Sequence, residues 1–255
     1  MFTESINTLG YYGKVPTHGD FVSKGLPRSF IDPWDQWLQE AILASRQQLG
    51  DQWLDYFLTS PLYHFALSPG ICGDNGWLGI LMPSVDKVGR YYPMTISLMI
   101  NEAINPFDAL QKKEWSAKLE SLALSCLKEG HHLDELNSGV DQLIKEIACE
   151  VTNSHFFTEC LNNQVFHPAW QQSLNGIESI PDLYPSMLDS LLKEHCFAYS
   201  LWWTKGSEHV SPSFLFSEGL PPYDGVAAML DGNWQQWGWS GNRFSNLIMA
   251  HDNTE

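Results

Sequence analysis

Two glycine-containing stretches hold the side chains best suited to chemistry. The first, Gly13-Lys14-Val15-Pro16-Thr17-His18-Gly19-Asp20-Phe21, offers Lys14, His18 and Asp20; the second, Pro83-Ser84-Val85-Asp86-Lys87-Val88-Gly89-Arg90-Tyr91-Tyr92-Pro93, offers Asp86 and Arg90. If both stretches leave the same edge of a sheet, an acid, an imidazole and a guanidinium converge as a hydrolase or phosphoryl-transfer site requires. The same residues also suit a structural latch. Asp86 and Arg90 lie four apart around Gly89, which turns with φ > 0 at no steric cost, so the two can form an ion pair. The residues alone leave both readings open.

Other chemistries find less support. No GxSxG nucleophile elbow is present. Gly10-Tyr11-Tyr12-Gly13-Lys14 resembles part of a phosphate-cradling loop, but Val15 stands where Ser or Thr must hold magnesium. His131 and His132 are adjacent, which on a helix turns them about 100° apart, and the remaining histidines are isolated in sequence. No metal or cofactor is therefore expected. Trp202 and Trp203 on one strand point to opposite faces, which makes the outward ring a candidate partner anchor. Tyr91 and Tyr92 are further interface candidates.

The elements around these stretches follow from spacing. The apolar runs 77–82 and 94–100 read as strands joined by the second stretch, with further strands at 9–15, 63–67, 196–203 and 214–216. Asp32 and Pro33 read as the start of an amphipathic helix carrying Trp34, Trp37, Leu38 and Ala41, with Asp35 placing negative charge in its first turn. Asn105-Pro106 opens a helix through Cys126, the stripe from Leu136 to Val151 predicts another, and 185–193 and 226–230 predict two more. The pattern weakens over 153–185. The whole reads as one α/β domain, 1–255, with a motif-rich part at 1–150 and a strand-loop-helix part at 195–232.

Charge narrows the partners. Thirty acidic against fourteen basic residues give a formal charge of −16, which repels nucleic acid and anionic membranes. Lys14, Lys24, Arg28, Lys87 and Arg90 fall in or beside the two stretches and hint at a local positive patch. Five cysteines without CxxC spacing suggest neither a disulfide framework nor a zinc site, and no run is long and apolar enough to span a bilayer. A cytoplasmic protein without membrane insertion is expected.

Three motifs extend the reading. The first runs from Gly13 to Phe21, through Gly25-Leu26-Pro27 and Phe30, to Trp34-Asp35-Gln36-Trp37-Leu38. The second joins Phe65-Ala66-Leu67-Ser68-Pro69-Gly70 to the stretch 83–93, and a looser third joins Trp202-Trp203-Thr204, Gly219-Leu220-Pro221 and Met229-Leu230-Asp231-Gly232. In order and spacing they resemble the type VI secretion-associated TagF family. The resemblance implies a three-layer α/β sandwich: a mixed, largely antiparallel sheet with helices on both faces. It also implies a non-enzymatic, post-translational repressor of the type VI secretion system of Gram-negative bacteria. The expected partner is the system's cytoplasmic forkhead-associated scaffold protein. Some members carry a PP2C-type phosphatase whose acidic motifs are not found here, so the stand-alone form is expected. A hydrolase using Lys14, His18, Asp20, Asp86 and Arg90, and a structural subunit of the secretion assembly, are the alternatives.

Overall fold

A computed structural model describes residues 8–100, 104–128, 130, 132–151 and 179–241. His131, Cys160, most of the stretch 153–185 and the last residues, 252–255, lie outside the described residues. The apolar runs become β1 (Leu9–Gly13), β2 (Val22–Lys24), β3 (Tyr63–Leu67), β4 (Gly76–Met82), β5 (Met94–Ile100), β6 (Tyr199–Thr204) and β7 (Ser213–Glu218). They form one seven-stranded sheet in the order β2-β1-β5-β4-β3-β6-β7. Every ladder is antiparallel, so the sheet is not mixed. Four of the six ladders join strands consecutive in sequence, and a hairpin connection forces its strands to run in opposite directions.

The helices are α1 (Arg28–Leu49), α2 (Trp53–Thr59), α3 (Pro106–Gln111), α4 (Lys113–Ser125), α5 (Leu133–Val151), α6 (Tyr184–His195) and α7 (Val226–Asp231). α1 starts a turn earlier than Asp32-Pro33 suggests. Pro27 supplies the extended residue before it, and the first turn buries Phe30 and Ile31. Burial of two large apolar side chains outweighs the missing N–H of Pro33, which lies inside α1 and costs it one intrahelical bond. Asp32 is consequently an exposed side chain 3.5 Å from Arg28 Nη1, not a cap. Asn105 does cap α3, accepting from the Phe107 and Asp108 amides. The expected single helix from there to Cys126 breaks at Lys112, whose ψ of 64° leaves the helical region.

Alternate strand residues enter two hydrophobic clusters. Leu78, Ile80 and Met82 of β4 join Trp115 and Leu119 of α4 and Leu136 and Val140 of α5. Trp77 of β4 joins Phe65 and Leu67 of β3, Trp202 of β6 and Phe30, Trp34 and Trp37 of α1. At the centre of the second cluster the Trp34 ring lies 4.7 Å from Phe65, 5.2 Å from Trp37 and 6.0 Å from Trp202. A buried indole needs an acceptor for its N–H. Trp34 donates to Thr95 Oγ1, Trp37 to the Pro221 carbonyl, Trp77 to the Cys72 carbonyl and Trp202 to Ser200 Oγ. Cys72, Cys126 and Cys196 are free thiols. Among the described residues, no helix is long and apolar enough to cross a membrane.

Candidate functional site

The β1–β5 ladder brings the two motif stretches together. Gly13, the last residue of β1, pairs with Met94, the first of β5, so the loop that follows one and the loop that precedes the other leave the sheet side by side. Gly13 has φ of 141°, and a Cβ there would run into the Pro93 carbonyl and come within 2.8 Å of Met94 Cα. Glycine is thus required for the loops to start in contact.

From that start the loops are fastened along their length. Ser84 Oγ donates to the Lys14 carbonyl at 2.7 Å, and the Lys87 amide donates to the His18 carbonyl at 2.9 Å. Arg90 Nη2 donates to the Gly19 carbonyl. At the centre sits Asp86, only 3% exposed. Its Oδ2 accepts from Lys14 Nζ at 2.9 Å and from Arg90 Nε at 2.7 Å, while its Oδ1 accepts from the Val88 and Arg90 amides. Gly89, with φ of 87°, closes the turn that lets these amides face the carboxylate. Burial works to raise the Asp86 carboxyl, but the Arg90 amide, Lys14 Nζ, the Arg90 guanidinium and the Val88 amide outweigh it and hold the group well below the usual carboxylate range.

The other predicted site residues are dispersed. Asp20 accepts from the Phe21 amide in its own turn, and His18 Nδ1 lies 3.1 Å from Thr17 Oγ1. Lys24 pairs with Asp141 and Arg28 with Asp32, so four of the five basic residues in this region meet a carboxylate, and the expected positive patch is largely offset. Of the interface candidates, Tyr92 and Trp202 are buried, 6% and 0% exposed. Tyr91 is half-buried against the rings of Trp53 and Phe57. Trp203 is half-buried and stacks on His64 at 5.1 Å. His64 in turn lies 3.2 Å from Glu120 Oε2, and burial holds its imidazole below the usual value against the opposing pull of that carboxylate.

Asp35 has a different role from the helix-start charge that its position suggests. Asp35 of α1 is not in a first turn; its Oδ1 accepts from both the Tyr12 hydroxyl at 2.7 Å and the Tyr92 hydroxyl at 2.5 Å. Tyr12 and Phe21 stack at 5.5 Å, and Phe21 and Tyr92 meet edge-on at 4.8 Å. Asp35 therefore ties α1 to the base of both loops. Nothing in local spacing signals this, because its partners lie 23 and 57 residues away.

This construction falls within a known class. Residues 10–143, just over half of the chain and including both loops, match the model of the TagF N-terminal domain, type VI secretion system-associated. The chain belongs to the TagF family. Its structure is similar to the crystal structure of PA0076 from Pseudomonas aeruginosa PAO1, with 33% sequence identity and a TM-score of 0.68 over 89% of this chain and 95% of that one. No curated protein matches.

Proposed function

We propose that the chain is a cytoplasmic, post-translational repressor of the type VI secretion system that acts by binding the system's forkhead-associated scaffold protein. Membership of the type VI secretion-associated TagF family is the observation that carries this reading. The two clusters, with α4 and α5 residues in one and α1 residues in the other, support a three-layer arrangement of helices about the sheet. The loops support a binding role over turnover. Lys14, Asp86 and Arg90 are committed to one another and to backbone, which rigidifies the two loops at one end of the sheet. Beyond that fastening, Val88 is 68% exposed and Phe21 44% exposed, two apolar side chains on loops whose shape is already fixed. A preformed surface loses little freedom on association.

Raising the level of the intact chain in its own host is expected to lower type VI-dependent secretion without lowering the amount of the secretion proteins. Deleting it is expected to raise secretion. Unchanged secretion in both strains would remove the repressor reading and return attention to the hydrolase and structural-subunit alternatives.

A further inference from the structure

Glu120 of α4 meets two basic side chains of the sheet. Its Oε2 lies 3.2 Å from Nε2 of His64 in β3, and Nζ of Lys205, the residue after β6, lies 2.9 Å from Oε1 and 2.8 Å from Oε2. One carboxylate thus ties the helix layer to β3 and to the connection between β6 and β7. Exposure is graded across the three side chains, 4% at His64, 22% at Glu120 and 78% at Lys205. Trp203, which pairs with His64 across the β3–β6 ladder, stacks on the imidazole at 5.1 Å. The other ring nitrogen, His64 Nδ1, is buried with no hydrogen-bond partner among the described residues.

Of the charged groups, Glu120 and Lys205 act on the imidazole. β4 places Ile80 opposite His64, and β6 places Trp203 there. α3, which also packs on β3, carries Asp108, whose carboxylate accepts from Asn105 in its own helix cap, and is followed by Lys112, which lies over the Trp115 ring. On α4, Lys118 turns to Glu146 of α5. A neutral imidazole fits this site, with Nε2–H donating to Glu120 and a lone pair left on Nδ1. A second proton fits badly. It creates a buried N–H without an acceptor, and the Glu120 charge that could offset it is already shared with Lys205 at both oxygens, so the three groups together carry a net positive charge beside the Trp203 ring.

We propose that His64, Glu120 and Lys205 form a proton-operated clasp, which holds α4 to the sheet while His64 is neutral and opens when Nδ1 takes a proton from solvent. Opening separates Glu120 from β3 and uncovers the half-buried Trp203 ring. Burial, the largest influence on the imidazole, holds it below its ordinary value; Lys205 acts in the same direction and Glu120 against it. The open form therefore binds more protons. The closed form is favoured at neutral pH and loses ground as the pH falls below the ordinary value of about 6.5.

Hydrogen exchange of the full chain, corrected for the intrinsic pH dependence of exchange, tests the clasp between about pH 7.5 and about pH 5.5, above the range in which ordinary carboxylates titrate. Protection of α4 is expected to fall about fivefold or more over this interval while that of α1 changes little. His64→Gln, which keeps a side-chain donor but does not titrate, is expected to abolish the fall. Lys205→Gln gives an independent readout at an exposed side chain. It leaves Glu120 free to offset the imidazolium, so the fall is expected to shrink and the His64 imidazole, followed by NMR, to titrate at higher pH. Equal α4 protection at both pH values, a loss shared equally by α1, an undiminished fall in folded His64→Gln, or an unmoved His64 titration in Lys205→Gln would overturn the proposal.

Discussion

Lys14 Nζ stands 2.9 Å from Asp86 Oδ2, joining residues 72 positions apart in an ion pair whose side chains are 7% and 0% exposed. Arg90 completes the arrangement from the solvent side, with a side chain 56% exposed. A buried pair of this kind is costly to break on one side, because the remaining charge is left without compensation. The pair therefore fixes how the two family motifs sit against each other.

Asp86→Ala should lower the unfolding midpoint more than Lys14→Met does. The first removes the acceptor of four donors and strands a buried ammonium, whereas the second leaves Asp86 with Arg90 and two amides. The double variant should be less destabilised than the sum of the single losses, since each single loss includes the charge left behind. Additive losses in thermal unfolding would show that the pair is not coupled.

The same carboxylate makes stability depend on pH with a definite sign. The folded Asp86 value lies below the unfolded value of about 4, so between them the unfolded chain binds more protons and stability rises with pH. The contribution is fully present above about pH 4 and is lost as pH falls toward the folded value. The stability gap between wild type and Asp86→Asn should therefore shrink as the pH is lowered through this range. A gap that stays constant in denaturant titrations from about pH 6 to about pH 3 would contradict the assignment.

Two glycines of the first motif should respond oppositely to alanine. At Gly13 a Cβ meets the Pro93 carbonyl at positive φ, whereas at Gly19 nothing lies within 4 Å. Gly13→Ala is expected to cost about 2 kcal/mol or more, as overpacking against backbone does, and Gly19→Ala to stay within about 0.5 kcal/mol of wild type. Chemical denaturation of the two variants checks the contrast; equal losses would argue against the close loop approach.

Alkaline titration should expose the Asp35 network. Burial first, and the Asp35 carboxylate second, raise the Tyr12 and Tyr92 hydroxyls above their ordinary value. Raised folded values mean that this stability is present below the unfolded value of about 10 and is lost as the pH climbs through and beyond it. Phenolate absorbance from these two residues should appear only with unfolding. A Tyr12→Phe, Tyr92→Phe variant should lose less stability per pH unit in that range, and an unchanged slope would exclude the network as its source.

Short-range patterns made much of the architecture legible. The apolar runs at 63–67 and 94–100 became β3 and β5, and Asn105 capped the helix that its type and position suggested. Strand alternation showed that Trp202 and Trp203 face opposite ways, but which ring is buried depends on α1, whose Trp34 and Trp37 cover Trp202. Asp32-Pro33 misled for a related reason: the local capping pattern lost to burial of Phe30 and Ile31 one turn earlier. Asp86 and Arg90 were conspicuous as a pair four apart, whereas Lys14 and Asp35 acquired their roles only through the β1–β5 ladder and the packing of α1. Long-range registers of this kind are set by tertiary contacts, which leave no local spacing to read.

Direct binding between the purified intact chain and the purified forkhead-associated scaffold from the same host, followed by titration calorimetry, tests the regulatory reading most directly. The account predicts saturable binding with a defined stoichiometry. Absence of any binding heat at several temperatures, with both proteins folded, would contradict it.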